Sequence, residues 1–313
     1  MQDPTNTARG ESHGVGAAAP VAGALGATFL WSIGNMIVAG SEFSGQQLAF
    51  FRVLTASVLY QAIFYLRGGR MHVATFKTAA VGGLAFGFSA AFFFVAMQTT
   101  SVASATVIAT LQPVLLLPYS VAKMGERVSA RRVGLIVIAV AGTVVSVLGA
   151  SSGGGDWSAL GDLYALIGTL GGCMYFIGTK MARETLGTLE YQAAALPSGA
   201  VVAGILALLF TGSMVRPDGR EMLVVFLLVL IPGSGHLIMS WAQKHLSVST
   251  TSTITLNITL LSSVGAAIFF GQALGALQVT GMLVVVVALG LFVRDAASGS
   301  VGDPAEVAVS PGE

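Results

Sequence analysis

Two ionisable side chains interrupt otherwise apolar stretches of this 313-residue chain: Arg52, within Gln47-Leu48-Ala49-Phe50-Phe51-Arg52-Val53, and His236, which follows Ile231-Pro232-Gly233-Ser234-Gly235. An arginine offers a planar fork of donors that fits a carboxylate or a phosphate. The alternative use is structural, with the guanidinium bonding helix-end carbonyls or Glu42 and snorkelling outward. Around His236 the proline removes a backbone donor and the glycines are permissive, which predicts a kinked or locally unwound helix. Freed carbonyls and one imidazole would then form a polar notch for a ligand or a proton; the alternative is a histidine bonded to a neighbouring carbonyl.

Other chemistry is excluded by spacing or by absence. Ser234 and His236 superficially suggest a serine hydrolase, but two residues apart on a helix they point away from each other, so the hydroxyl has no base. All fourteen Asp and Glu residues fall in loops, tails or helix ends, among them Glu42, Asp162 and Glu190. A buried carboxylate relay of the kind proton-coupled carriers use is therefore not expected. Glu126 sits in a turn beside Lys123, Arg127, Arg131 and Arg132 and reads as part of a structural ion-pair cluster. The single cysteine, Cys173, lies in an apolar run, so neither a disulfide framework nor a thiolate metal cluster is expected. There is no phosphate-binding G-x-x-x-x-G-K-[ST] loop, so ATP does not drive the protein directly. No cofactor and no metal are expected.

The elements that must hold Arg52 and His236 follow from composition. Hydrophobic residues make up 54%, charged residues 9%, and the mean hydropathy is +0.82. Soluble domains carry about a quarter charged residues, and so few charges could not cover a soluble fold of this size. The chain is thus expected to be an all-α integral membrane protein whose partner is the lipid bilayer. Net charge is +1 with no basic block, so no nucleic-acid partner is expected. Crossing a bilayer takes about 20 helical residues, and apolar runs of that length fall at 20–40, 46–66, 78–97, 101–122, 132–150, 160–180, 191–211, 222–241, 247–270 and 276–293. These are too long, and alternate too little, for the strands of a membrane barrel. Residues 1–19 and the stretch after Val293 read as disordered tails.

Basic residues orient the chain. With the N-terminus in the cytoplasm, inner segments hold twelve of them, from Arg9 through Arg67, Lys77, Arg131, Lys180 and Lys244 to Arg294, and outer loops hold two, Arg216 and Arg220. That bias follows the positive-inside rule and predicts a multi-pass protein of the cytoplasmic (cell inner) membrane with both termini inside. Arg52 falls about 10 Å from the outer end of its helix at 1.5 Å per residue.

The chain also repeats itself. Ala96, Ser101, Val102, Ile108, Leu115 and Gly125 recur 146 positions later as Ala242, Ser247, Val248, Ile254, Leu261 and Gly271. Two units, 20–150 and 151–293, would each cross the membrane five times. An odd number inverts the second unit relative to the first, the architecture of alternating-access carriers. Small residues four apart, such as Gly83 with Gly87, Gly168 with Gly172, and the ladder Gly142, Ser146, Ala150, mark faces where helices approach closely in lipid.

The run Leu111-Gln112-Pro113-Val114 followed by Met124-Gly125-Glu126-Arg127-Val128 resembles the helix-proline and Gly-Glu-Arg signature of EamA-type permeases of the drug/metabolite transporter superfamily. Trp31 with Asn35, Arg52, and Gly161-Asp162-Leu163 strengthen the resemblance, which spans 20–293. The second copy departs from it, with Thr259 at the proline position and Gln272 at the glutamate position. The resemblance implies a central cavity walled by the first, fourth, sixth and ninth helices, and hence Trp31, Asn35, Gln112, Tyr175 and Asn257 beside Arg52 and His236. It further implies a secondary transporter of small organic metabolites such as amino acids, with export favoured. A facilitative uptake permease for a metabolite or vitamin, and a helical scaffold without transport, are the alternatives. No enzymatic activity is expected.

Overall fold

The structure is a computed structural model that describes residues 18–39, 41, 43–100, 102–150, 158–270 and 274–299. They form twelve helices: α1 (Ala18–Ala39), α2 (Gly45–Leu66), α3 (Val73–Thr99), α4 (Val102–Ala109), α5 (Gln112–Met124), α6 (Ala130–Ala150), α7 (Ala159–Arg183), α8 (Thr188–Thr211), α9 (Gly219–His245), α10 (Val248–Ile254), α11 (Asn257–Phe270) and α12 (Ala276–Gly299). Nine stretches of the described residues are long and apolar enough to cross a membrane, one of them running through the α4–α5 break. The predicted span 247–270 is the exception; like the α4–α5 span it is interrupted, here at Thr255 and Leu256. The predicted tails, apart from Ala18, Ala19 and 294–299, lie outside the described residues, as do Glu42, Gly271 and Gln272. Helix α12 runs to Gly299, past the predicted end at 293, and Asp295 near its end pairs with the Arg131 guanidinium at 3.2 Å.

The two halves repeat element for element. Adding 146 to the starts of α3, α4 and α6 gives the starts of α9, α10 and α12. The break between α4 and α5 likewise falls opposite the break between α10 and α11, although the chemistry of the two breaks differs. Pro113 in the first turn of α5 lacks an N–H and disfavours helix before it, so α4 stops at Ala109. Thr259 occupies the equivalent place, and there hydroxyls bond back to their own backbone instead: Thr253 Oγ1 to the Ser249 carbonyl at 2.7 Å and Thr255 Oγ1 to that of Ser252 at 2.6 Å. Serine and threonine side chains thus accompany in one copy the break that proline makes in the other.

Corresponding helices run in opposite directions. A Cβ at Gly142 would meet Val284 and Gly281 while one at Gly149 would meet Gln278, so α6 and α12 are antiparallel. Phe50 against Gly204 and Val53 against Gly199 set α2 antiparallel to α8 in the same way. The small-residue faces are contact faces: a Cβ at Gly83 or Gly87 would fall 2.1 Å from the Ala195 carbonyl oxygen or 2.0 Å from that of Gly199. Helices α3 and α8 are therefore in backbone contact, which residues larger than glycine would prevent.

Strict twofold equivalence fails at the two ends of the bundle. Arg67, Lys77, Lys123, Arg131, Lys180, Arg183 and Lys244 gather at one end, called here the basic end, with Arg216 and Arg220 at the other. At the basic end α10 packs against α5 and α7, and α7 packs against α9. The symmetry-equivalent pairs at the opposite end, α4 with α11, α4 with α1, and α1 with α3, do not pack to a comparable extent among the described residues.

Candidate functional site

Arg52 lies in the second turn of α2, facing inward, and is only 8% exposed. Its guanidinium carbon stands 5.8 Å from the Phe86 ring centre and 5.9 Å from that of Phe94, positions that attract a cation to the ring face. It makes no hydrogen bond or ion pair among the described residues. The guanidinium borders a cavity enclosing about 270 Å³ of space, lined also by Tyr60, Phe86, Gln192, Gly233 and His236 and by the apolar side chains of Val53, Leu196, Leu228 and Val229. Much of that space lies between side chains, and the part open to a water-sized molecule is on the order of one water. In this conformation the cavity has room for about one water and none for a metabolite.

His236 is held from three sides. Its Nδ1 lies 3.2 Å from the Tyr175 hydroxyl. The Trp31 ring sits 4.6 Å away, centre to centre, and the Phe86 ring meets it edge-on at 4.8 Å. Its carbonyl accepts a hydrogen bond from Gln192 Nε2 at 3.1 Å. The predicted unwinding at Pro232 does not occur: α9 is continuous from Gly219 to His245. Gly34 of α1 lets that helix press on the proline ring, and the Trp31 indole donates to the Pro232 carbonyl at 3.2 Å. Ser234 faces away and donates to the Leu230 carbonyl at 2.5 Å, so it forms no pair with His236.

Of the seven residues singled out in the sequence, Arg52 and His236 line the cavity, and Trp31 and Tyr175 form its wall through His236. Asn35 is half-buried one turn from Trp31 and does not border the cavity. Gln112 opens α5 near Gly172, and its Nε2 is buried with no hydrogen bond among the described residues. Asn257 opens α11 and donates to Thr28 Oγ1 on α1 at 3.4 Å, joining those two helices. Sequence reasoning missed Tyr60, Phe86 and Gln192. Tyr60 and Gln192 were detectable as polar groups inside the apolar runs 46–66 and 191–211; Phe86 is one of seventeen phenylalanines and carries no such signal.

Below the cavity, toward the basic end, the path is closed. Leu116 of α5, Tyr175 and Phe176 of α7 and Val248 of α10 form one buried apolar cluster, with Trp31 and Phe86 against it. Beneath it the Glu126 carboxylate accepts hydrogen bonds from the first backbone amides of α10, Val248 at 2.6 Å and Ser249 at 3.2 Å. Glu126 is therefore structural, as its sequence context suggested, but its work is to cap a helix of the other repeat. Lys180 donates to the carbonyls of Gln243 and Leu246, each at 2.9 Å, and Arg183 to those of Ser240 at 3.0 Å and Leu186. Lys180 thus satisfies carbonyls at the end of α9 that the helix leaves unpaired, and Arg183 ties α7 to the α9 backbone and to the turn after α7.

A bundle of membrane-length helices in two oppositely directed copies, closed at one end over a polar cavity, belongs to the class of multi-pass membrane transporters. The chain matches the EamA-like transporter family over residues 19–148 and 159–294, one stretch for each copy, and is a member of that family. Among curated proteins none matches it. One solved structure, described only as a crystal structure of a protein, aligns with a TM-score of 0.73 at 20% identity, covering 91% of this chain and 99% of the other. At that identity the likeness shows the fold alone.

Proposed function

We propose that this protein is a secondary transporter that carries small organic metabolites, of the size of amino acids and related acids, across the cytoplasmic membrane by alternating access. It has ten crossings, with α4–α5 and α10–α11 each counted as one broken helix, and both termini in the cytoplasm. The basic end is the cytoplasmic end, in accord with the positive-inside rule. Export is the direction favoured by the resemblance in the sequence.

The observation that carries this reading is the asymmetry of two related ends. Glu126 and the Leu116–Val248 cluster hold α10 against α5 and α7 at the basic end, and Lys180 and Arg183 tie α7 to α9 there, while among the described residues the equivalent pairs opposite do not pack to a comparable extent. Because the halves are related by sequence, equivalent helix pairs can approach at either end in turn, though not through the same side chains, and Arg52 with His236 lies between the ends. An enzyme gains no support from this geometry, since His236 has no nucleophile beside it other than the Tyr175 hydroxyl. A scaffold has no use for an unpaired cation in its interior.

The test is side-specific labelling. In a Cys173→Ala background, Val107→Cys on α4 should react with a membrane-impermeant maleimide from the external side, and Leu116→Cys should resist it from the cytoplasmic side. Addition of a transported metabolite should reverse the pattern. Equal reactivity from both sides, unmoved by any metabolite, would refute alternating access.

A further inference from the structure

We infer that the Arg52 cavity is a receptor for a single carboxylate and that the transported molecule carries a net negative charge, without an ammonium group to be recognised beside it. This rests on the transporter reading above and narrows its substrate class.

Three observations lead there. A buried guanidinium without a counter-charge is unfavourable in a water-poor interior, so a buried cation is ordinarily paired. Arg52 is not: among the described residues its near electrostatic partners are two phenylalanine rings, and its donors border the cavity. The missing partner is thus an acceptor that the described residues do not supply. A carboxylate matches the fork of a guanidinium with two parallel hydrogen bonds. The space beside Arg52 is now that of about one water, so such a group enters as the apolar side chains around it give way.

The second observation is what the cavity lacks. Arg52 is its one charged lining residue, and the other polar groups there, Tyr60, Gln192 and His236, bring no carboxylate. Described acids lie elsewhere: Glu126 at the N-terminus of α10, Asp162 beside Thr100, Glu190 in the first turn of α8, Asp218 and Glu221 at the start of α9. An amino acid bound by its carboxylate would hold its ammonium close to Arg52 with no countercharge, in a medium where like charges repel strongly. Third, the remaining lining is apolar and aromatic, from Val53, Ala56, Phe86, Leu196, Leu228 and Val229. It favours an apolar stem behind the carboxylate and offers a second charge, such as that of a phosphate monoester, nothing to pair with.

Binding to the purified full-length chain decides the matter, with a series that shares one skeleton: 3-phenylpropionate, phenylalanine, 3-phenylpropanamide and 3-phenylpropylamine. Calorimetric titration of the native protein should show 3-phenylpropionate binding at least about tenfold more tightly than phenylalanine, with the amide and amine weaker still. Arg52→Gln should remove that preference, and Arg52→Lys should keep part of it, since a point charge replaces the fork. The native series stands by itself should the variants fail to fold. Phenylalanine bound as tightly as 3-phenylpropionate, no binding of any carboxylate, or a preference untouched by Arg52→Gln would each overturn the inference. Flux in proteoliposomes separates this from the broader reading. Arg52-independent transport of an amine or amino acid sinks the carboxylate site and leaves the transporter standing. Arg52-dependent binding of 3-phenylpropionate without flux of any bound acid does the reverse.

Discussion

The two ends of the bundle are built from the same kinds of helix, yet they are held by different means. At the basic end a carboxylate from one repeat caps a helix of the other, two cations of α7 bond to the backbone of α9, and an apolar cluster seals the space between. At the opposite end, among the described residues, α1 packs on α11 and α4 on α7, and the polar ties are of another kind. Asn257 reaches Thr28 across 3.4 Å, and Thr100 Oγ1 donates to Asp162 at 2.9 Å, tying α3 to α7 without joining α4 to α11. A repeat related by sequence can thus be asymmetric in structure, and the asymmetry lies in residues that the duplication did not copy. Glu126 has Gln272 as its counterpart, and an amide brings no charge to a helix N-terminus.

Removing the strongest of these contacts should break the comparison most visibly. Glu126→Ala deletes two charge-assisted hydrogen bonds on α10, each worth about 1.5–3 kcal/mol at most, and should raise cytoplasmic maleimide labelling of Leu116→Cys severalfold. Unchanged labelling would show that the apolar cluster closes this end unaided. Arg183→Ala should follow with a smaller effect, on the order of 2 kcal/mol, since two carbonyls lose their donor; the loss should appear as a lower midpoint in thermal unfolding in detergent. Trp31→Phe keeps a ring over His236 and removes only the bond to Pro232, so about 1 kcal/mol is expected, again read by thermal unfolding. Asn257→Ala should change stability by less than about 0.5 kcal/mol, as expected for one long, half-buried contact. If it instead matched Glu126→Ala in labelling assays, the opposite end would be held as firmly as the basic end.

Much of this arrangement was legible in the chain. Arg52 and His236 stand out because ionisable groups are expensive among apolar helices, and that expense is a property of the residue type, whatever its neighbours. The register of the duplication survives in the helix starts, because it was written in small and apolar residues that pack backbone on backbone. What could not be read was the company these residues keep. Pro232 suggested a kinked or locally unwound helix, since by itself it removes a hydrogen bond; α9 is unbroken there, and an indole and a glycine on α1, some two hundred positions away, pack on that turn. Glu126 suggested an ion-pair cluster from its neighbours in sequence, while its hydrogen-bond partners come from the other repeat. Phe86 was invisible for the opposite reason, since nothing about a phenylalanine in an apolar helix says which ring will face a cation.

Composition, hydropathy and charge bias by themselves determined that this protein is a helical membrane bundle built twice over, with its basic residues on one side. Those properties depend on sums over many residues and on the solvent each prefers, and such sums need no coordinates. Which helices meet at the basic end, which cation has no acceptor among the described residues, and which helix stays unbroken were decided only in the tertiary structure. Each of these turns on a contact of a few ångströms between residues far apart in the chain.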